Sequence, residues 1–384
     1  MLYFYISLWF LISNYSANAY IMTCYAKSGN PKPEKIDPNL CTHLIIINNC
    51  TINEAGIQFP AEDMMHRYNK LKRKNPALQI LISLTPANVY MSEIATDQTK
   101  INGLSAVVRD YLIANKLDGF DIDWEFPVRF QEEQEMNGTE YFRSGLQKLR
   151  EDFDTSGHRL LLTVAVCAMY NIVEKAYDAN ALNKYTDMVQ IMNYDFHLYS
   201  RWHPFTGFNA PLHASPYEIL LLGRINSEYA TRYWLSLGIT PSKLVFGIPV
   251  YGIGFELLSK HMHFPYAPVT GYAHNGGVIP YRRACGYLNS TNYHYYWDKY
   301  AASPYLVEGT SWLGIEDSRS VSEKAKFAKS MGIGGVMVFA LDSDDHAGRC
   351  GQGKFPLTKA IRDVMKTPTI SSNLEVSINE PYRE

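Results

Sequence analysis

The sequence predicts an α/β fold, a (β/α)8 TIM barrel with a small α+β insertion subdomain between strands 7 and 8. Three observations predict it. Short β-branched or Leu-rich runs recur eight times along the 384 residues, each followed by a helical pattern. The runs are apolar and bounded by Gly and Pro, as expected of parallel strands buried on both faces. One interval toward the carboxyl end breaks this rhythm and is too long for an ordinary βα loop. Doubly wound sheets share the alternation, so on periodicity alone that architecture stays open.

In order, the strand candidates are Tyr20 to Tyr25, His43 to Asn48, Gln79 to Leu84, Gly119 to Glu125, Leu160 to Val166, Met188 to Tyr194, Leu244 to Val250 and Gly335 to Leu341. Before the fourth strand, Leu104, Val107, Val108, Leu112 and Ile113 form the apolar face of a helix. Ser320 with Glu323 has the spacing of a capping box for a helix through Lys329, stopped by Gly332. Between Tyr251 and Trp312 the chain is rich in Tyr, His, Gly and Pro and lacks a helical repeat. We read residues 253–312 as the insertion, residues 20–252 and 313–366 as the barrel, and the polar segment 367–384 as a flexible tail.

Residues Met1 to Ala19 contain no Asp, Glu, Lys or Arg, run apolar through Phe10 to Ile12 and end in Ala17-Asn18-Ala19. That reads as a signal peptide, residues 1–19, and predicts a secreted, extracellular protein with no membrane attachment after cleavage. Secretion makes the six cysteines, Cys24, Cys41, Cys50, Cys167, Cys285 and Cys350, disulfide candidates whose pairing the spacing alone does not choose. Asn49, Asn137 and Asn289 head glycosylation acceptor triplets. A formal net charge of −2 gives no electrostatic footprint for nucleic acid or an anionic membrane. The 28 tyrosines suit sugar stacking as well as ordinary packing. A monomer is expected.

The fourth strand candidate carries the chemistry. Residues Leu117 to Pro127 read LDGFDIDWEFP, so strand periodicity puts Asp121, Asp123 and Glu125 on one face and Phe120, Ile122, Trp124 and Phe126 on the other. Three anions on one backed face are costly to bury unless protonated or hydrogen-bonded. Crowding raises at least one pKa, which lets a terminal Glu keep a proton as a general acid, the chemistry of glycosidases. No metal site is expected, because these carboxylates lack nearby His at ligand spacing. No cofactor is expected either.

This segment resembles the D-G-x-D-x-D-W-E signature of glycoside hydrolase family 18, the chitinase family, through Asp118, Gly119, Asp121, Asp123, Trp124 and Glu125. Met192-Asn193-Tyr194-Asp195 is similar to the family's M-x-Y-D strand, and Thr206-Gly207-Phe208-Asn209-Ala210-Pro211-Leu212 to its T-G-H-N-x-P-L loop. Gly247 to Gly252 resembles the seventh-strand motif, and Gly334 to Asp342 with Asp344-Asp345 the eighth. The resemblance runs in order from about Tyr20 to Val364. It implies the barrel, the insertion after strand seven, and two disulfides, Cys24 with Cys41 and Cys285 with Cys350, leaving Cys50 and Cys167 free.

The resemblance also implies substrate-assisted retaining hydrolysis, with Glu125 as general acid and the sugar's N-acetyl carbonyl as nucleophile. Asp123 would orient the acetamido N–H, Asp121 would share a proton with it, and Tyr194 would donate to the acetamido oxygen. Asp195, Met192, Tyr251 and Phe339 are the implied substrate contacts, while Asp118 and Gly119 support the strand's start. Departures lie in the groove. Ser83-Leu84-Thr85-Pro86-Ala87 replaces S-x-G-G-W, Ile47-Asn48 replaces Ala-Phe, Phe339 stands for a tryptophan and Ile253 for an arginine. The implied partner is chitin or another N-acetylglucosamine-containing glycan, cleaved internally at β-1,4 links. Two alternatives are a chitinase-like amino-sugar-binding lectin or signalling protein, and an endo-β-N-acetylglucosaminidase acting on N-glycan cores.

Overall fold

The computed structural model describes residues 20–53, 56–85, 90–91, 94, 97–127, 138–274 and 276–368. The expected signal segment 1–19, Pro86, Ala87, Asn137 and positions 369–384 of the expected tail lie outside the described residues. Eight parallel strands close into a barrel, in the order β1, β2, β4, β5, β6, β7, β8, β15 and back to β1. Their bounds are Ile21–Lys27 (β1), His43–Asn53 (β2), Gln79–Leu84 (β4), Gly119–Ile122 (β5), Leu161–Cys167 (β6), Met188–Met192 (β7), Leu244–Pro249 (β8) and Gly335–Phe339 (β15). A short strand, β3 (Gly56–Gln58), folds back antiparallel on β2. Closure removes the sheet's edges and excludes the doubly wound alternative.

Between β8 and β15 a six-stranded antiparallel sheet runs through β9 (Tyr251–Leu257), β10 (Val269–Tyr272), β11 (Val278–Pro280), β12 (His294–Asp298), β13 (Ser303–Glu308) and β14 (Ser311–Gly314). It includes two residues on either side of the 253–312 interval read from sequence. The helix Tyr281–Leu288 lies within it. Among the described residues no helix is long and apolar enough to cross a membrane.

Alternation along the barrel strands sorts side chains into two cores. Met22, Cys24, Leu44, Ile80, Phe120, Leu162, Val189 and Phe246 pack outward beneath the helices. Tyr25, Ile45, Leu81, Ala165, Met192, Val245 and Met337 point inward. Close strand contact depends on Gly119, where a Cβ would lie 2.4 Å from the Leu161 carbonyl oxygen. Asp118 fixes the start of β5 by accepting from the Ile80 N–H at 2.6 Å and pairing with Lys72 at 2.5 Å.

Two local expectations need correction. The helix Gln98–Ala114 buries Ile101, Ser105, Val108 and Leu112, whereas Val107 is 49% exposed. At about 100° per residue, Val107 turns away from the stripe that Val108 occupies. The helix Ser318–Ser330 starts earlier than Ser320, capped by Asp317. The Asp317 carboxylate accepts from the Ser320 N–H at 2.8 Å, and Ser320 Oγ accepts from the Asp317 N–H at 2.9 Å. Ser320 is therefore the inner member of the capping box, because the aspartate outside it is the stronger acceptor.

Disulfides join Cys24 to Cys41 and Cys285 to Cys350, with Cα separations of 6.1 and 5.8 Å. Cys50 and Cys167 are free and buried, and burial pushes both thiols up to about 12. Both side chains are therefore neutral and serve as packing groups. Asn49 and Asn289 are exposed.

Candidate active site

The acidic line stands at the carboxyl ends of the strands. Regular β5 stops at Ile122, not at Glu125 as strand periodicity suggested, since the last contact with β4 is Asp123 N–H donating to the Leu84 carbonyl at 2.9 Å. Only Asp121 lies within the sheet; Asp123 and Glu125 follow on the emerging loop. Phe120, Ile122 and Trp124 back the line from the outer core, with Phe126 half-buried beside them. Likewise β7 ends at Met192, so Tyr194 and Asp195 lie just beyond its tip.

Asp121 is fully buried, and four donors meet its two oxygens. Tyr25 Oη and Ser83 Oγ donate to Oδ2 at 2.9 and 2.7 Å. Thr163 Oγ1 and Gln190 Nε2 donate to Oδ1 at 2.5 and 3.1 Å. Ser83 and Thr163 are the register partners of Asp121 on the two flanking strands, so sheet pairing itself delivers them. Burial raises the Asp121 pKa, and these four bonds oppose the rise without cancelling it.

Asp123 has no such support. It is 6% exposed and its Oδ1 is buried without a hydrogen-bond partner. Burial, then the charges of Glu125 and Asp121, push its carboxyl well above the usual range. Glu125 is solvent-exposed as a residue, yet partial desolvation of its carboxyl, followed by the Asp195 charge, raises its pKa too. A carboxyl that holds its proton to higher pH than a free glutamate therefore sits at the mouth of the barrel.

Around the line lies an aromatic wall. The Tyr194 ring stacks on Phe339 at 5.3 Å and meets Tyr251 edge-on at 5.9 Å. Phe339 also contacts Tyr25, with centroids 5.5 Å apart. Tyr194 Oη donates weakly to Met337 Sδ at 3.7 Å, and burial holds its hydroxyl neutral. Met192 is buried in the same inner core as Tyr194 and Tyr251. Asp195 adopts a left-handed φ of 59°, which Asp tolerates better than most residues. Tyr251 Oη donates to Asp195 Oδ1 at 2.7 Å, and Asn209 binds the Asp195 N–H at 3.0 Å and the Tyr251 carbonyl at 3.1 Å.

The structure thus brings together Asp121, Asp123, Glu125, Tyr194, Asp195, Met192, Tyr251 and Phe339. Ile253 is only 1% exposed and offers no polar group. Sequence reasoning missed Thr23, Tyr25, Thr163, Gln190 and the anchoring role of Asn209. The available signal was a polar residue at an inward position of an otherwise apolar strand, repeated on β1, β4, β6 and β7.

A (β/α)8 barrel with stacked carboxylates and an aromatic wall at its carboxyl mouth is a glycoside-hydrolase-type scaffold. Residues 21–344 match the model of glycosyl hydrolases family 18, and the chain belongs to that family. It is 30% identical over 369 residues to human (Homo sapiens) chitinase-3-like protein 2, covering 90% of this chain and 92% of that protein. Among solved structures it is similar to the Group IV chitinase of Ostrinia furnacalis in complex with allosamidin, with a TM-score of 0.82, 30% identity and coverage of 90% and 98%. It is also similar to human YKL-39, a pseudo-chitinase with retained chitooligosaccharide binding, with a TM-score of 0.83, 28% identity and coverage of 91% and 100%.

Proposed function

We propose that this protein is a secreted, retaining endo-hydrolase of β-1,4-linked N-acetylglucosamine polymers that works by substrate-assisted catalysis. One observation carries the reading: Glu125, whose pKa is raised, stands beside a buried Asp123 whose Oδ1 has no protein partner. An unpaired buried acceptor is costly, and an acetamido N–H is the donor that would satisfy it. Glu125 protonates the glycosidic oxygen as the C1–O bond breaks. The N-acetyl carbonyl oxygen attacks C1 from the opposite side, giving an oxazolinium-like intermediate. Asp123 holds the acetamido N–H and offsets its developing positive charge, and Tyr194 donates to the acetamido oxygen. Water then opens the ring, Glu125 takes back a proton, and the anomeric configuration is retained.

A second reading, oligosaccharide binding with little turnover, is favoured by the groove. Phe339 offers less stacking area than a tryptophan, and Ile253 is a buried apolar residue. Each lost aromatic face weakens sugar binding by roughly 1 kcal/mol. The test is to incubate the purified protein with chitin oligomers and with a high-mannose glycopeptide, then weigh the products. Cleaved oligomers support the proposal, and Glu125→Gln should slow that cleavage on the order of 10²-fold or more. Binding with no product would establish the second reading. Cleavage of the glycopeptide alone would assign the activity to N-glycan cores.

A further inference from the structure

Four barrel strands converge on Asp121, and the convergence depends on a residue with no place in the mechanism above. Gln190 is wholly buried, and its Nε2 donates both to Asp121 Oδ1 at 3.1 Å and to Tyr25 Oη at 2.9 Å. A side-chain amide offers donors on one side only, so the bonds require that Oε1 face away. Thr23 enforces that orientation, because its buried hydroxyl donates to Gln190 Oε1 at 2.6 Å. While accepting from Gln190, Tyr25 Oη directs its own proton to Asp121 Oδ2 at 2.9 Å. Ser83 and Thr163 complete a set of four donors.

A carboxylate has about four lone-pair sites. Asp121 has all of them filled by neutral donors, and protonating it would displace one. The titratable groups around it are Asp123 along the chain, Tyr25 on β1 and Tyr194 beyond β7; burial keeps both tyrosine hydroxyls un-ionised. Asp123 is not among the hydrogen-bond partners of Asp121 and keeps an unpaired buried oxygen. We propose that Gln190, clamped by Thr23, is a positioning residue that holds Asp121 ionised at neutral pH and confines the mobile proton of the acidic line to Asp123 and Glu125. This differs from a proton shared between Asp121 and Asp123, and its consequence for turnover rests on the hydrolase reading.

Carboxyl-¹³C aspartate labelling tests it without requiring activity. In the intact protein, with signals assigned through Asp121→Asn and Asp123→Asn, the Asp121 carbon should be at its ionised shift at neutral pH and titrate well below the Asp123 carbon. The Asp123 carbon should report a protonated group at neutral pH. Thr23→Val frees the amide to turn its oxygen toward Asp121, which should raise the Asp121 pKa by about one pH unit. Thr23→Ser keeps the hydroxyl and should restore the wild-type titration. If oligomers are cleaved, the acidic limb of kcat should move upward in Thr23→Val and return in Thr23→Ser, with KM unmoved. A single titration shared by both aspartates, or a Thr23→Val titration identical to wild type, would overturn the proposal. Absent cleavage alongside the expected carbon shifts would overturn the hydrolase reading and leave the clamp standing.

Discussion

Asp195→Asn provides a close test of how Glu125 is tuned. Two influences raise the Glu125 pKa, first partial burial and second the charge of Asp195. The substitution removes only the second. Asn tolerates the left-handed φ of 59° and still accepts from Tyr251 Oη, while the backbone N–H keeps its bond to Asn209. The fold should therefore persist. With both residues open to solvent, a like charge nearby is worth on the order of 1 kcal/mol, or roughly half to one pH unit.

The sign follows from the role. A general acid works while protonated, so its pKa sets the alkaline limb of the rate profile. Removing the Asp195 charge lowers that pKa and shifts the limb to lower pH, while the burial contribution keeps it above that of a free Glu. The assay is kcat/KM on a fluorogenic chito-oligosaccharide across the pH range, compared by limb position so that changes in sugar contact do not interfere. An alkaline limb that stays in place, or moves upward, would refute the assignment of Glu125 as the acid coupled to Asp195.

Other expectations follow from the same geometry. Asp123 has a folded-state pKa well above its unfolded value, so between those values the folded state binds the extra proton and stability falls as pH rises. Asp123→Asn should flatten that dependence and raise the melting temperature at neutral pH, measurable by calorimetry. Phe339→Trp should tighten chito-oligosaccharide binding by about 1 kcal/mol, near five-fold, by titration calorimetry. Lys324 is fully buried, bonded to Glu316 at 2.6 Å and Ser303 at 2.9 Å, so Lys324→Ala strands a buried carboxylate and should cost about 3–5 kcal/mol in denaturant unfolding.

The parts of this fold that could be read in advance are those with local causes. Runs such as Leu244–Pro249 and Gly335–Phe339 are apolar on both faces because both faces are covered, and each became a barrel strand. Strand ends were less legible. Alternation persists through Glu125 and Tyr194, but the ladder does not, because pairing depends on how far the neighbouring strand extends. Long-range chemistry was least legible of all. Tyr25, Ser83, Thr163 and Gln190 are scattered along the chain, and each is a single polar residue in an apolar run. Strand pairing places Ser83 and Thr163 beside Asp121 in register, and only barrel closure brings Tyr25 and Gln190 to the same carboxylate and gives the four a common purpose.

The same distinction separates the durable part of the site from the part that can change. Asp121 is bonded to side chains from four barrel strands, and its loss would leave Tyr25, Ser83, Thr163 and Gln190 facing an empty acceptor in the barrel centre. Unpaired buried donors cost about 1–3 kcal/mol each, so the fold itself resists that change. Glu125 lies past the strand end, exposed, and no barrel register runs through it. On the hydrolase reading, replacing it would remove turnover at small structural cost, while Phe339, Tyr251 and Tyr194 would still present their rings to a sugar. On that reading, a binding protein and an enzyme on this barrel are separated by the group that the fold depends on least. The intact Glu125 therefore bears more directly on function than the altered residues of the groove.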